Sequence, residues 1–266
     1  MRGAGRRRSQ RVLSVVEPIV CVIIALAIWE MLVRTGVIYR GSLATPTDIA
    51  RALWSDIHDR FLWTSVWMTM KAWGIGMGIV VAISIPLGAA LGLSRFVARS
   101  SFLTLEFFRA IPSIAALPVL ILVYGIGLKL TIVLIILGGV WPLMIQTMYG
   151  VQDVDPVARD TARVYGVGTL RRFRLVVAPT AAPYVATGLR LSGVIGMILA
   201  IAATLLIGGQ GLGAAIAEAQ QTGRIPTMFD RIFIAGLLGV LVTLVLGSIE
   251  TRFLRWHTSN REVTTT

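Results

Sequence analysis

Residues 184–207 read YVATGLRLSGVIGMILAIAATLLI, an apolar run with one charge, Arg190, near its start. A helix needs about 20 predominantly apolar residues to cross the hydrocarbon core of a bilayer. This run is long enough. Comparable runs lie near 13–33, 66–93, 102–124, 130–150 and 232–254. The pattern predicts an all-α, polytopic membrane protein with about six transmembrane helices.

Composition agrees with lipid as the solvent. Of 266 residues, 56% are hydrophobic and only 14% charged, with 27 Gly besides. A soluble domain of this length needs a polar exterior, whereas a helix bundle in lipid is apolar inside and out. The single cysteine, Cys21, lies in an apolar run and supports neither a disulfide framework nor a thiolate metal site.

The net charge is +12, which raises nucleic acid as a partner. Its distribution argues otherwise, because the basic residues cluster between apolar spans. Arg2, Arg6, Arg7, Arg8 and Arg11 open the chain, and Arg159, Arg163, Arg171, Arg172 and Arg174 share one internal loop. With the amino terminus inside, six crossings leave 1–12, 94–101, 151–183 and 255–266 on the cytoplasmic face, where most Arg and Lys then fall. Both termini are therefore expected to be cytoplasmic. The division is a basic N-terminus at 1–12, a transmembrane domain at 13–254 and a tail at 255–266. A cleaved export signal is the other reading of an Arg-rich start, but Trp29, Glu30, Met31 and Leu32 stand where a small-residue cleavage site belongs.

Residues 46–63 place Ile49, Leu53, Trp54, Ile57 and Phe61 at three- and four-residue steps among charged groups, with Pro46 and Thr47 able to open a helix. This predicts an amphipathic helix at the outer interface. Gly74, Gly78, Gly88 and Gly92, with Ala82, Ala89 and Ala90, give the second span a small face suited to close packing within the chain, or to a dimer seam. Pro86, Pro112, Pro118 and Pro142 each remove a backbone donor inside a span, a defect tolerated where protein or a water-filled cavity satisfies the freed carbonyl. The third span is the most interrupted, so Arg109, Pro112, Ser113 and Pro118 are candidates for a translocation pathway. Glu106 and Arg109, three apart, can neutralise one another, a structural ion pair before a substrate ligand.

Several chemistries lack their residues. There is no Gly-x-x-x-x-Gly-Lys-Ser/Thr phosphate loop. The two histidines, His58 and His257, are expected on opposite faces of the membrane. Glu17, Glu30, Glu106 and Glu250 fall near helix ends and do not form a buried proton relay. Gly208, Gly209, Gln210, Gly211, Leu212 and Gly213 follow a span with no preceding strand, which makes them a turn.

The longest internal loop, 151–183, has Pro156 to start a helix and Gly166 to end it. A second short helix is expected from Leu170 to Val177, stopping before Pro179. Such a loop presents either a knob to a cytoplasmic partner or a basic surface to anionic lipid headgroups.

Within it, Asp160-Thr161-Ala162, three residues, Gly166, nine residues, and Val176-Val177-Ala178-Pro179 resemble the signature loop of binding-protein-dependent ABC importer permeases. That loop is written Glu-Ala-Ala, three residues, Gly, nine residues, Ile-x-Leu-Pro. The spacing matches, while Asp160, Thr161, Val176 and Ala178 replace the usual residues. Trp29-Glu30, Arg109-Ala110-Ile111-Pro112, Tyr124-Gly125-Ile126-Gly127, Gly150, Gly188-Leu189-Arg190-Leu191-Ser192 and Gly211-Leu212-Gly213 resemble the nitrate, sulfonate, taurine and bicarbonate branch. The likeness spans about residues 20–256.

The resemblance implies a type I ABC importer permease fold in the bacterial inner membrane. Its partners would be cytoplasmic ABC ATPase subunits carrying ATP and Mg, an external substrate-binding protein, membrane lipids, and a second copy or a related permease. The chain itself would be no enzyme and carry no cofactor. Asp160, Thr161, Ala162, Arg163, Gly166, Arg171 and Pro179 would belong to a coupling helix seated on the ATPase. Where that branch commonly carries Glu in the fifth span, this chain has Thr204, a further pathway candidate and a departure that leaves a heterodimer open. A sulfonate or other small organic anion is the implied solute. A secondary transporter, a channel, or a membrane-embedded enzyme or scaffold remain the other readings.

Overall fold

The computed structural model describes residues 3–38 and 41–253, with the side chains of 3–16, 19 and 253 left aside. Eleven α-helices carry nearly all of the described chain: α1 (Gly3–Arg34), α2 (Pro46–Asp56), α3 (Arg60–Gly92), α4 (Arg95–Ala110), α5 (Leu117–Tyr124), α6 (Leu128–Gln152), α7 (Pro156–Val164), α8 (Thr169–Arg172), α9 (Ala178–Ile207), α10 (Leu212–Gln221) and α11 (Ile225–Phe253). A 3-10 turn, Ser113–Ala116, precedes α5, and a π-helical turn, Phe173–Val177, joins α8 to α9. No strand occurs among the described residues.

Among the described residues, α3, α6, α9 and α11 are long and apolar enough to cross a membrane. α4 and α5, with the turn between them, pass the same test as a pair bent by 72° at the break, which makes up to five candidate crossings among the described residues against the six expected from the sequence. The sequence predicts this third span over 102–124 and marks it as the most interrupted, at Pro112 and Pro118. The structure breaks it because Pro112 forces the preceding residue out of the helical region, so Ile111 and Pro112 are both extended (ψ 121° and 113°). The span expected at 13–33 falls on α1, and of the basic segment 1–12 only residues 3–12 fall on it, their side chains left aside. The tail 255–266 lies outside the described residues.

Two compact units result, Met1–Leu62 with Ile216–Phe233, and Trp63–Ala215 with Ile234–Thr266. The second is built on the α6–α9 pair. Helices in lipid gain little from hydrophobic association, so contact depends on backbones coming close. Glycines supply that proximity. A Cβ on Gly188 would stand 3.0 Å from Leu143 Cα, and one on Gly150 would stand 3.0 Å from Ala181 Cα. Ser192 on α9 donates to Gly139 O (2.6 Å), and Ser84 on α3 donates to Val140 O (3.0 Å). Both acceptors precede Pro142, which breaks the backbone ladder of α6 by lacking an N–H for Gly138 O. The buried residues Leu134, Ile135, Leu143 and Ala203 fill the space between.

The small face of α3 divides into two. Gly88 and Gly92 meet α6, their Cβ positions falling 2.8 Å from Thr147 Cβ and 2.7 Å from Met148 O. Gly74 and Gly78 face open space. Packing within the chain thus accounts for the second pair and not the first, because Gly74, Gly78 and Ala82 line the exposed side of the helix.

In the first unit, the stretch 46–63 is not one helix. α2 ends at Asp56, and Arg60 begins α3. Asp59 Oδ1 accepts from Phe61 N at 2.9 Å as α3 begins, and the end of α2 carries an ion pair that local periodicity does not reveal. Asp56 is buried, and its Oδ2 accepts from Arg231 Nε at 2.8 Å, across 175 residues of sequence. Arg231 is 1% exposed, sits 5.2 Å from the Phe61 ring centre, and has Glu218 Oε2 at 3.8 Å. The neighbouring Asp230 is also buried, and among the described residues neither of its carboxylate oxygens has a hydrogen-bond partner. At the other end of α2, Thr45 caps through its hydroxyl, and Glu30 accepts from Thr47 N (3.1 Å) and Thr47 Oγ1 (2.8 Å).

Replacing Arg231 by Ala is expected to cost about 3–5 kcal/mol, because it strands the buried Asp56 carboxylate. Asp230→Asn should cost far less, and thermal unfolding in detergent separates the two. Gly88→Val should lower stability by about 1–3 kcal/mol through overpacking, while Gly78→Val should leave it nearly unchanged by the same measurement.

Candidate functional site

Two features of the second unit present chemistry: the loop between α6 and α9, and a cavity beside α4 and α6. The loop starts as the sequence dictates. Asp155 caps α7, its Oδ1 accepting from Val157 N at 2.8 Å, and Pro156 takes the first turn, where no amide hydrogen is needed.

The end of α7 explains the spacing of its motif. Val167 N donates to Ala162 O (3.0 Å) and Gly166 N donates to Arg163 O (3.0 Å). These are the two reversed bonds of a Schellman C-cap, which needs a left-handed residue at Gly166, where φ is +69°. Ala162 and Arg163 thus act through their carbonyls, and Thr161 O receives Tyr165 N (3.0 Å). Asp160, Thr161, Arg163 and Gly166 are exposed, and Ala162 is half-buried.

Beyond the turn, the expected helix from Leu170 to Val177 does not stop before Pro179. α8 passes through the π turn straight into α9, with Pro179 in the first turn of α9. The wide turn gives Ala178 N a bond to Phe173 O and makes room ahead of the proline ring, which clashes in an ordinary α-helix. Arg171 is exposed on α8. Packing anchors the loop base. Val151, Val154, Val177 and Ala181 form a buried cluster, and Tyr184 Oη donates to Asp153 Oδ2 at 2.9 Å.

The sequence expectation names charged groups here, whereas the structure adds apolar ones. Val164 and Tyr165 are 86% and 82% exposed, and Val157 and Leu170 stand out similarly. For Val157, Val164 and Tyr165, a spacing of seven and eight residues along α7 and its C-cap is the signal that could identify them, since it marks one helix face.

The cavity, about 660 Å³, is lined by Arg109, Pro112 and Ser113 from the break in the third span, with Gly138, Trp141, Gln146 and others from α6 and α9. Arg109 Nη1 is 3.3 Å from Glu106 Oε1, both side chains partly exposed. Phe108 stacks on Trp141 with ring centres 5.4 Å apart, fixing α4 against α6. Leu199 packs directly onto Gly138 at the cavity wall.

Pro118 and Thr204 do not join this cavity. Pro118 opens α5 with its ring exposed. Thr204 lines a separate cavity of about 280 Å³ with Thr69, Thr131 and Gln210. Its hydroxyl donates within α9, to Ala200 O at 3.1 Å and Ile201 O at 3.2 Å. The stretch expected as a turn ends at Gly211, because Leu212 and Gly213 already begin α10, and this junction lies over Thr204, for a Cβ on Gly213 would collide with Ile201 O. Leu212 N donates to Thr69 Oγ1 at 2.9 Å, which ties that turn to α3. Among the described residues, no group of three or more His, Cys, Asp or Glu side chains could hold a metal ion.

A bundle of membrane-crossing helices with a basic, apolar-tipped elbow between two of them, and a cavity at a broken span, defines a solute permease. The chain belongs to the family described as binding-protein-dependent transport system inner membrane component, whose model matches residues 74–259. It is 25% identical over 246 residues to the nitrate import permease protein NrtB of Synechocystis, covering 89% of this chain and 88% of that one. With the putative aliphatic sulfonates transport permease protein SsuC of Bacillus subtilis it shares 26% over 236 residues, 89% and 86% of the two chains. The taurine transport system permease protein TauC of Escherichia coli is 28% identical over 199 residues, 75% and 72% of the two. In fold, the chain is similar to a structure of the MetNI methionine ABC transporter in an inward-facing conformation. The TM-score is 0.63 at 19% identity, over 72% of this chain and 95% of that one.

Proposed function

We propose that this permease carries a small oxyanion, of the sulfonate or nitrate kind, through the cavity beside the broken third span, driven by a cytoplasmic ATPase docked on the loop 151–183. The observation that carries this reading is the capped elbow itself. A solvated loop has no reason to hold Val157, Val164, Tyr165 and Leu170 out in water on a rigid frame. A partner groove that buries them gains apolar area, and Asp160, Arg163 and Arg171 around them supply orientation.

In this reading, Mg-ATP binds the partner subunits, and their closure moves the elbow as a rigid piece. The anchoring cluster at Val151, Val154, Val177 and Ala181 passes that motion to α6 and α9 together. Both termini lie in the cytoplasm, an external binding protein delivers the solute, and a second copy or a related permease completes the pathway. Within the cavity, Arg109 offers the positive charge that an oxyanion requires, and Glu106 beside it lowers the net attraction so that the solute can leave. The relatives transport nitrate, aliphatic sulfonates and taurine by name, which supports a small oxyanion as the solute class.

Leu170→Asp is expected to abolish co-purification with the ATPase while the permease still reaches the membrane. Undiminished co-purification would overturn the docking assignment. Gly166→Val has open space for its side chain but must hold a positive φ, a strain of about 1–3 kcal/mol. Radiolabelled solute uptake by that variant should fall severalfold at equal membrane abundance.

A further inference from the structure

α9 and α11 leave a groove of about 420 Å³ on the surface of the second unit, lined by Arg190, Thr243, Gly247, Ser248, Glu250 and Thr251. Gly247 forms an open floor, since a Cβ there would meet nothing within 4 Å. Arg190 is exposed and makes no ion pair or hydrogen bond among the described residues, although Glu250 lines the same groove. The hydroxyls have spent their hydrogens on their own helix. Thr243 donates to Gly239 O (2.9 Å), Ser248 to Leu244 O (2.7 Å) and Thr251 to Ser248 O (3.0 Å). What they still offer is lone pairs. The groove therefore presents one cation and a set of acceptors that includes one anion.

Depth fixes what can reach it. Arg190 stands 17 residues before Ile207, the last residue of α9, which is about 25 Å along a helix. With Ile207 at one edge of a hydrocarbon core about 30 Å thick, Arg190 falls within about 5 Å of the opposite edge, on the side of the loop 151–183. An arginine there snorkels toward phosphate.

We infer that this groove binds one phospholipid headgroup that carries both a phosphate and a primary ammonium, as in phosphatidylethanolamine. Arg190 takes the phosphate as a charge-assisted pair. The ammonium has three N–H donors, which Glu250 and the hydroxyl oxygens accept. A choline headgroup has no N–H to give, and a glycerol headgroup leaves Glu250 facing a net negative charge. The inference requires only that the chain sits in a bilayer, and it stands or falls independently of the docking partner and of the solute.

The test uses the full-length chain, in its native assembly, reconstituted into nanodiscs holding equal parts phosphatidylethanolamine, phosphatidylcholine and phosphatidylglycerol. Native mass spectrometry then counts the retained lipids. The wild type should retain phosphatidylethanolamine in preference to both others. Arg190→Gln should reduce its retention about tenfold, the share of one charge-assisted hydrogen bond. Glu250→Gln should abolish the preference over phosphatidylglycerol. Gly247→Leu should reduce retention by filling the groove while leaving both charges in place. Equal retention of phosphatidylcholine by the wild type, or an unchanged lipid complement in all three variants, would overturn the inference.

Discussion

The second unit depends on the close approach of α6 and α9. In lipid, this contact cannot come from expelling water, so it comes from backbones near enough for dispersion and for serine hydroxyls to reach neighbouring carbonyls. Gly150, Gly188, Gly139 and Ser192 line that seam. Both functional features rest on it. The elbow is the connection between the same two helices, and the cavity is walled by their faces together with the broken third span. In the proposed mechanism, this tightly fitted contact is what carries a displacement of one to the other.

Much of the architecture was legible in the sequence because lipid imposes a coarse and strict rule. Apolar length identifies the spans α3, α6, α9 and α11. The helix starting at Pro156 and its end at Gly166 were legible for a local reason, since a capping Asp, a first-turn Pro and a left-handed Gly act on neighbouring residues only. The Asp56–Arg231 pair was not, because nothing in either segment announces a partner 175 residues away. Nor could spacing tell Gly74 from Gly88. Each opens a Gly-x-x-x-Gly pair of identical spacing, and only the location of α6 distinguishes a covered face from an open one.

The candidate pathway residues divide on similar grounds. Arg109, Pro112 and Ser113 are neighbours in sequence at a proline break, so the break brings them to one cavity wall. Thr204 was singled out by its departure from a family pattern, and such a departure carries no geometry. In the structure, its methyl and hydroxyl support the Gly211-Leu212-Gly213 stretch, which a longer acidic side chain would have to displace. The apolar tip of the elbow was hidden for the opposite reason. In a chain so rich in Val and Leu, Val157, Val164 and Leu170 attract no notice until they are found exposed.

The π turn at Phe173–Val177 has a consequence for the phase of the helix that follows. One residue more per turn than an α-helix rotates everything downstream by about 100° relative to an unbroken continuation of α8. Gly188, Ser192 and Gly196 face their neighbours only with that offset included. Five residues at the water boundary thus act as the vernier that sets the azimuth of α9, and losing one of them would turn the seam toward lipid without altering any residue within it.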